Sequence, residues 1–136
     1  MAYRSTALQA AAVALGLGLT ALAGAASAPA RAAELVMVEQ PGCSWCAKWD
    51  NEIAPIWPRT QAGAFAPLRR ERLREMPAGL DLERGVSFTP TFLVVSDDGR
   101  ELGRLEGYPG QDFFWPMIER LLADSAGFAL DTTGQH

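Results

Sequence analysis

Soft metal ligands are scarce in these 136 residues: the single histidine is the C-terminal His136, and the only cysteines are Cys43 and Cys46. A structural zinc site takes about four ligands, so the ligand count argues against one. Covalent haem attachment needs a histidine directly after the second cysteine, and Ala47 stands there. Neither a metal nor another cofactor is expected. Positive charge is also in deficit, with 12 Lys and Arg against 16 Asp and Glu. No Arg-Arg pair marks the N-terminus, which argues against the twin-arginine export route.

What the N-terminus does have is Arg4 followed by an Ala/Leu/Gly/Val run from Ala7 to Ala25, broken only by Gln9 and Thr20. Small residues then continue from Ala23 to Ala33 and offer several A-x-A sites. Residues 1–32 therefore read as a secretory signal of the general route, cleaved after Ala32 or Ala33; an uncleaved membrane anchor is the alternative. Removing 1–32 takes away Arg4 and Arg31 but no acid, leaving 10 basic and 16 acidic side chains, a net charge of −6. So acidic a domain has no general attraction for nucleic acid or an anionic membrane surface. The expected organisation is one domain over 33–123 and a C-terminal tail over 124–136.

Both cysteines fall in Pro41-Gly42-Cys43-Ser44-Trp45-Cys46, between the apolar run Leu35-Val36-Met37-Val38 and the helical opening Ala47-Lys48-Trp49-Asp50-Asn51-Glu52-Ile53. A strand, a tight turn and Cys-x-x-Cys at a helix start make a redox layout, because unpaired N–H groups of the first helical turn stabilise a thiolate. Cys46 lies about one turn further on, within reach of a disulfide. The competing reading is a structural staple in an exported protein. So short a loop removes little unfolded-state entropy, which makes it a poor one.

Along the chain, Val36–Val38 suit a sheet covered on both faces. The helix after the cysteines should end near Ala54, before Pro55. A short helical turn is expected over 59–63. The charged stretch Leu68-Arg69-Arg70-Glu71-Arg72-Leu73-Arg74 reads as an edge strand in preference to a binding patch. Residues 78–84 read as a short helix capped by Gly85. Thr91-Phe92-Leu93-Val94-Val95 is a strand, Asp97-Asp98-Gly99 a hairpin turn, and Glu101–Glu106 its partner. Phe113, Phe114, Met117, Ile118, Leu121 and Leu122 recur at helical spacing, with Pro116 in the first turns of a helix starting near Asp112. Trp49 and Trp57 read as core.

This order of elements resembles the thioredoxin family, as does Thr89-Pro90, whose proline follows Cys43 by 47 residues, and Gly107 after the fourth strand. The resemblance is narrower to SoxS-type periplasmic thioredoxins of bacterial sulfur-oxidation systems. It rests there on Pro-Gly-Cys-x-x-Cys at 41–46, Trp49, Glu52-Ile53, Pro55, Pro58, Ala66-Pro67-Leu68-Arg69-Arg70 and Thr89-Pro90-Thr91-Phe92. It implies an α/β, thioredoxin-like fold, a four-stranded mixed sheet flanked by helices, and a periplasmic thiol:disulfide oxidoreductase. Two departures stand out. Gly42 replaces the tryptophan that precedes the first cysteine of ordinary thioredoxins, and Met37 or Val38 occupies the place of their buried acid. Glu39, Asp50 and Glu52 are the carboxylates close in sequence.

The resemblance further implies that Cys43 and Cys46 form a redox-active disulfide and act as nucleophile and resolving cysteine. The substrate is a protein with a reactive cysteine, disulfide or sulfur adduct, such as a sulfur carrier, with electrons from a membrane-linked donor. Thr89 and a cis Pro90 would pair with substrate backbone. Trp45 would be a partner contact, with packing under the loop as its other reading. A disulfide-introducing oxidant and a non-enzymatic, redox-regulated binding module are the alternative functions.

Overall fold

The structure, a computed structural model, describes residues 33–130. The expected secretory signal and the last six residues with His136 lie outside the described residues. The sheet has four strands in the order β2-β1-β3-β4: β1 (Glu34–Glu39), β2 (Leu68–Arg72), β3 (Thr91–Val95) and β4 (Glu101–Glu106). β1 runs parallel to β2 and antiparallel to β3, and β3 is antiparallel to β4. The β1–β2 crossover carries α1 (Ser44–Glu52), a 3-10 turn (Trp57–Arg59) and α2 (Gln61–Phe65); α3 (Gln111–Ala126) closes the described chain. This is the expected mixed sheet flanked by helices.

β1 and β3 are central and buried on both sides, which is why their apolar runs are continuous and not alternating. Leu35, Met37, Phe92 and Val94 face the helices and join Trp49, Ile53, Trp57, Phe114, Ile118 and Leu122 in the larger core. Val36, Val38, Leu93 and Val95 face the other way. β2 is the charged edge strand, its Arg69 paired with Glu34 at 3.1 Å and Glu71 at 2.9 Å.

Residues 78–84 are the main correction. They form no helix, and Gly85 is not among the glycines with positive φ. The Asp81 N–H donates to Gly99 O and its carbonyl accepts from the Glu101 N–H, both at 2.9 Å. The hairpin thus takes backbone groups a helix would need. Extended backbone lets Leu80 and Leu82, with Leu73, Met76 and Val86, cover the second face of the sheet. A buried ion pair fastens the end of this segment. Arg104 Nε and Nη2 grip Glu101 at 2.5 and 2.6 Å, Nη2 also donates to Arg84 O at 2.8 Å, and the Glu83 N–H donates to Glu101 Oε2 at 2.9 Å.

Burial opposes the Glu101 charge, but hydrogen bonds from Arg104 and the Glu83 N–H, with the Arg104 charge, outweigh it and hold the carboxyl below its ordinary pKa. A lowered pKa stabilises the fold above the unfolded carboxylate value, about 4.3, and that stability is lost as pH falls through the folded value. Glu101→Gln is expected to cost about 3 kcal/mol at neutral pH and to flatten the acid limb of stability against pH. Urea melts across the acid range measure both; an unchanged limb would refute the role.

α3 begins at Gln111, one residue before the expected start, and runs through Ala126, beyond the Asp124 at which the tail was expected. Gly127, at φ 78°, caps it in the left-handed conformation. The chain then turns back so that Phe128 packs on Phe65 at 5.2 Å between ring centroids. At the other end of the crossover, Gly63 meets the 3-10 turn so closely that a Cβ would stand 1.7 Å from the Trp57 carbonyl oxygen. Only glycine permits that approach.

Candidate active site

β1 delivers the chain to a turn in which the Cys43 N–H donates to Gln40 O at 3.3 Å. Gly42 adopts φ 80° there, a conformation that costs an L side chain about 1–2 kcal/mol. Cys43 is the N-cap of α1, and its sulfur accepts the Cys46 N–H at 3.2 Å. No acidic residue lies in the first turn of α1 to offset the positive end of the helix dipole. The two cysteines are joined as a disulfide with Cα atoms 5.3 Å apart. Their environments differ: Cys43 is half-buried, whereas Cys46 is 5% exposed within the core.

A cleft of about 470 Å³ opens beside the pair, lined by Glu39, Gly42, Cys43, Cys46, Asp50 and Arg72 among others. Strand register explains its charge. Met37 lies beside Arg70 and Glu39 beside Arg72, on the sheet face that carries α1. Arg70 passes over the ring of Trp49 at 5.7 Å and bonds Glu39 Oε2 at 2.8 Å and Asp50 Oδ1 at 2.5 Å. Burial works against the guanidinium charge, but the hydrogen bonds and charges of Asp50 and Glu39 outweigh it and hold its pKa above the ordinary value. Glu52 points elsewhere. It accepts the Tyr108 hydroxyl at 2.6 Å, and burial, then that carboxylate, hold the phenol's pKa above its usual value.

Trp45 is 53% exposed, with the Lys48 ammonium 5.3 Å from its ring, so it is a surface group and not packing under the loop. The Thr89–Pro90 bond is cis. Val38 pairs with Thr91, so Thr89 and Pro90 leave the sheet at the end from which β1 enters the cysteine turn. Pro90 is buried, its carbonyl accepting the Gly107 N–H at 2.7 Å, and Phe88 beside it is 63% exposed. The cleft lining brings together Cys43 and Cys46 with Asp50 and Glu39, and includes neither Trp45, Thr89 nor Pro90. The parts whose place beside the cysteines was not anticipated from sequence are Arg70 and Arg72, which lie in the stretch read there as a charged edge strand. Their signal is the pairing of β2 with β1, about 30 residues apart. Trp49 and Trp57 are fully buried, as expected.

A family model described as a thioredoxin-like domain matches residues 23–122. Among solved structures, the chain is similar to the periplasmic thioredoxin SoxS from Paracoccus pantotrophus in its reduced form. The two share 55% sequence identity over 67% of this chain and 96% of that one, with a TM-score of 0.64. No curated protein matches.

Proposed function

This chain belongs to the thioredoxin-like family and is a thiol:disulfide oxidoreductase, and from that premise we propose that it is exported and reduces a disulfide or sulfur adduct on a partner protein. The observation that carries this reading is the asymmetry of the pair: Cys43 caps the helix at the surface while Cys46 is 5% exposed behind it. A Cys43 thiolate is favoured by the Cys46 N–H and the uncompensated helix N-terminus, so its pKa should fall below the ~8.5 of a free thiol. It attacks the partner sulfur to form a mixed disulfide; Cys46 then closes the intramolecular bond and the reduced partner leaves. Trp45 offers an exposed aromatic contact, and the Thr89–Pro90 segment offers backbone for strand-like pairing.

Each turnover leaves Cys43 and Cys46 oxidised, and a compartment that favours disulfides holds no general reductant. A membrane-linked dithiol donor would restore the pair. The periplasm is the compartment of the similar solved thioredoxin, and residues 1–32 supply the signal-like pattern. A partner such as a sulfur carrier, with one reactive cysteine, fits this chemistry.

The test is made on protein recovered from the native compartment. Intact mass should place its N-terminus between Ala30 and Glu34, and it should catalyse insulin reduction by dithiothreitol. Equilibration against glutathione should give a potential below about −200 mV. A full-length membrane-bound species would overturn export, absence of catalysis would overturn the redox role, and a value near about −120 mV would reverse the direction to that of an oxidant.

A further inference from the structure

In the mixed disulfide with the partner Cys46 must lose a proton before it can attack Cys43, yet in the oxidised protein it is only 5% exposed and sits in the core. The cleft beside the pair is its outlet, since Cys46 lines that cleft together with Glu39 and Asp50. Asp50 stands four residues after Cys46, one turn along the same face of α1. Arg70 bonds both carboxylates from β2. The charged groups that line the cleft are thus Asp50 from α1, Glu39 from β1 and Arg72 from β2, and Arg70, also from β2, bonds the two carboxylates. Arg72 is largely solvated, its side chain 65% exposed and 3.7 Å from Glu75.

A carboxylate with one arginine to itself would be a poor base, because the ion pair opposes protonation. Here two carboxylates share one guanidinium. One of them can take a proton while the other keeps its ion pair with Arg70. Glu52, the remaining carboxylate of α1, is taken by Tyr108 and does not line the cleft.

We propose that the Glu39–Arg70–Asp50 cluster is the proton acceptor for Cys46, with Asp50 the carboxylate that takes the proton; this rests on the reading of Cys46 as the resolving cysteine. In the step, the Cys46 proton passes to Asp50, directly or through solvent in the cleft. The thiolate electron pair forms the bond to Cys43 Sγ. The bond between Cys43 and the partner sulfur breaks, and the partner leaves as a thiolate. No net oxidation occurs beyond the exchange of one disulfide for another.

The experiment follows reduced protein mixed with dithiobis(nitrobenzoate), which releases one coloured thiolate when Cys43 attacks and a second when Cys46 resolves the adduct. In Asp50→Asn the first release should stay within about twofold of wild type. The second should slow by about tenfold to a hundredfold at neutral pH and recover as pH rises and the thiol ionises unaided. Asp50→Glu should restore most of the rate. Glu39→Gln, which leaves Arg70 to Asp50 alone, should slow the second release in the same direction and carries the test if Asp50→Asn fails to fold. Second-release rates in both variants that track wild type from about pH 6 to about pH 9 would overturn the acceptor while leaving the redox reading intact. A wild-type protein with no second release would overturn the assignment of Cys46 itself.

Discussion

Cys43→Ser is expected to reduce insulin turnover to the uncatalysed blank, whereas Cys46→Ser should hold its substrate as a stable mixed disulfide, about one per molecule. The difference follows from where the two sulfurs sit. Cys43 is half-buried at the helix N-cap, so losing it removes the only thiol a partner can reach. Cys46 is 5% exposed, so losing it leaves the first attack intact and abolishes only the resolving step. Captured insulin appears on non-reducing gels, and alkylation against pH should show Cys43 titrating below the ~8.5 of a free thiol. A structural staple predicts another pattern. Both variants would lose the same stability, at most about 2 kcal/mol for so short a loop, and neither would capture anything. That outcome would end the enzymatic reading of these residues.

Phe114→Ala should be among the most damaging single changes to stability. Phe114 is fully buried and stands at the centre of the aromatic core, with ring centroids 5.1 Å from Phe92, 5.6 Å from Tyr108, 6.0 Å from Trp49 and 6.3 Å from Trp57. Truncating a buried phenylalanine costs about 3–5 kcal/mol through lost transfer energy and the residual cavity. Its edge-on partners place it at the upper end of that range. In a domain of this size the melting temperature should fall by about 12–40 °C. Phe113→Ala is the control. Its neighbouring ring is 66% exposed, so the change should stay within about 0.5 kcal/mol. Thermal and urea denaturation of the pair decide the matter; equal, small losses would mean that the α3 face is assigned wrongly. Because Phe114 supports Trp49, and Arg70 lies over Trp49, the same variant should loosen the charged side of the cleft.

The elements legible from sequence were those whose signals are local. β1 and β3 are buried on both faces, so Leu35–Val38 and Phe92–Val95 are apolar without interruption. The cysteine turn follows from Gly42 and from the placement of Cys43 directly before a helical segment. The edge position of β2 could be read from its charge. The helix expected over 78–84 was wrong because a local pattern of leucines and charges is compatible with two periods. The bonds between Asp81 and the 99–101 hairpin decided for the extended one. The same limit hid Phe128, whose partner Phe65 is remote in sequence.

The sequence by itself determined the chemistry available to this protein: two cysteines on the first turn of a helix, and a core large enough to bury one of the thiols. Only the tertiary structure decided which groups surround those thiols. Trp45 reached the surface because the core space beneath α1 is filled by Trp49, Phe92 and Phe114. Glu39, Asp50 and Arg70 became one cluster through the parallel pairing of β1 with β2 under α1. Short-range periodicity records which face of an element is buried. Side chains 20 and 31 residues from Arg70 are brought to it by strand register and helix packing, which no local pattern encodes.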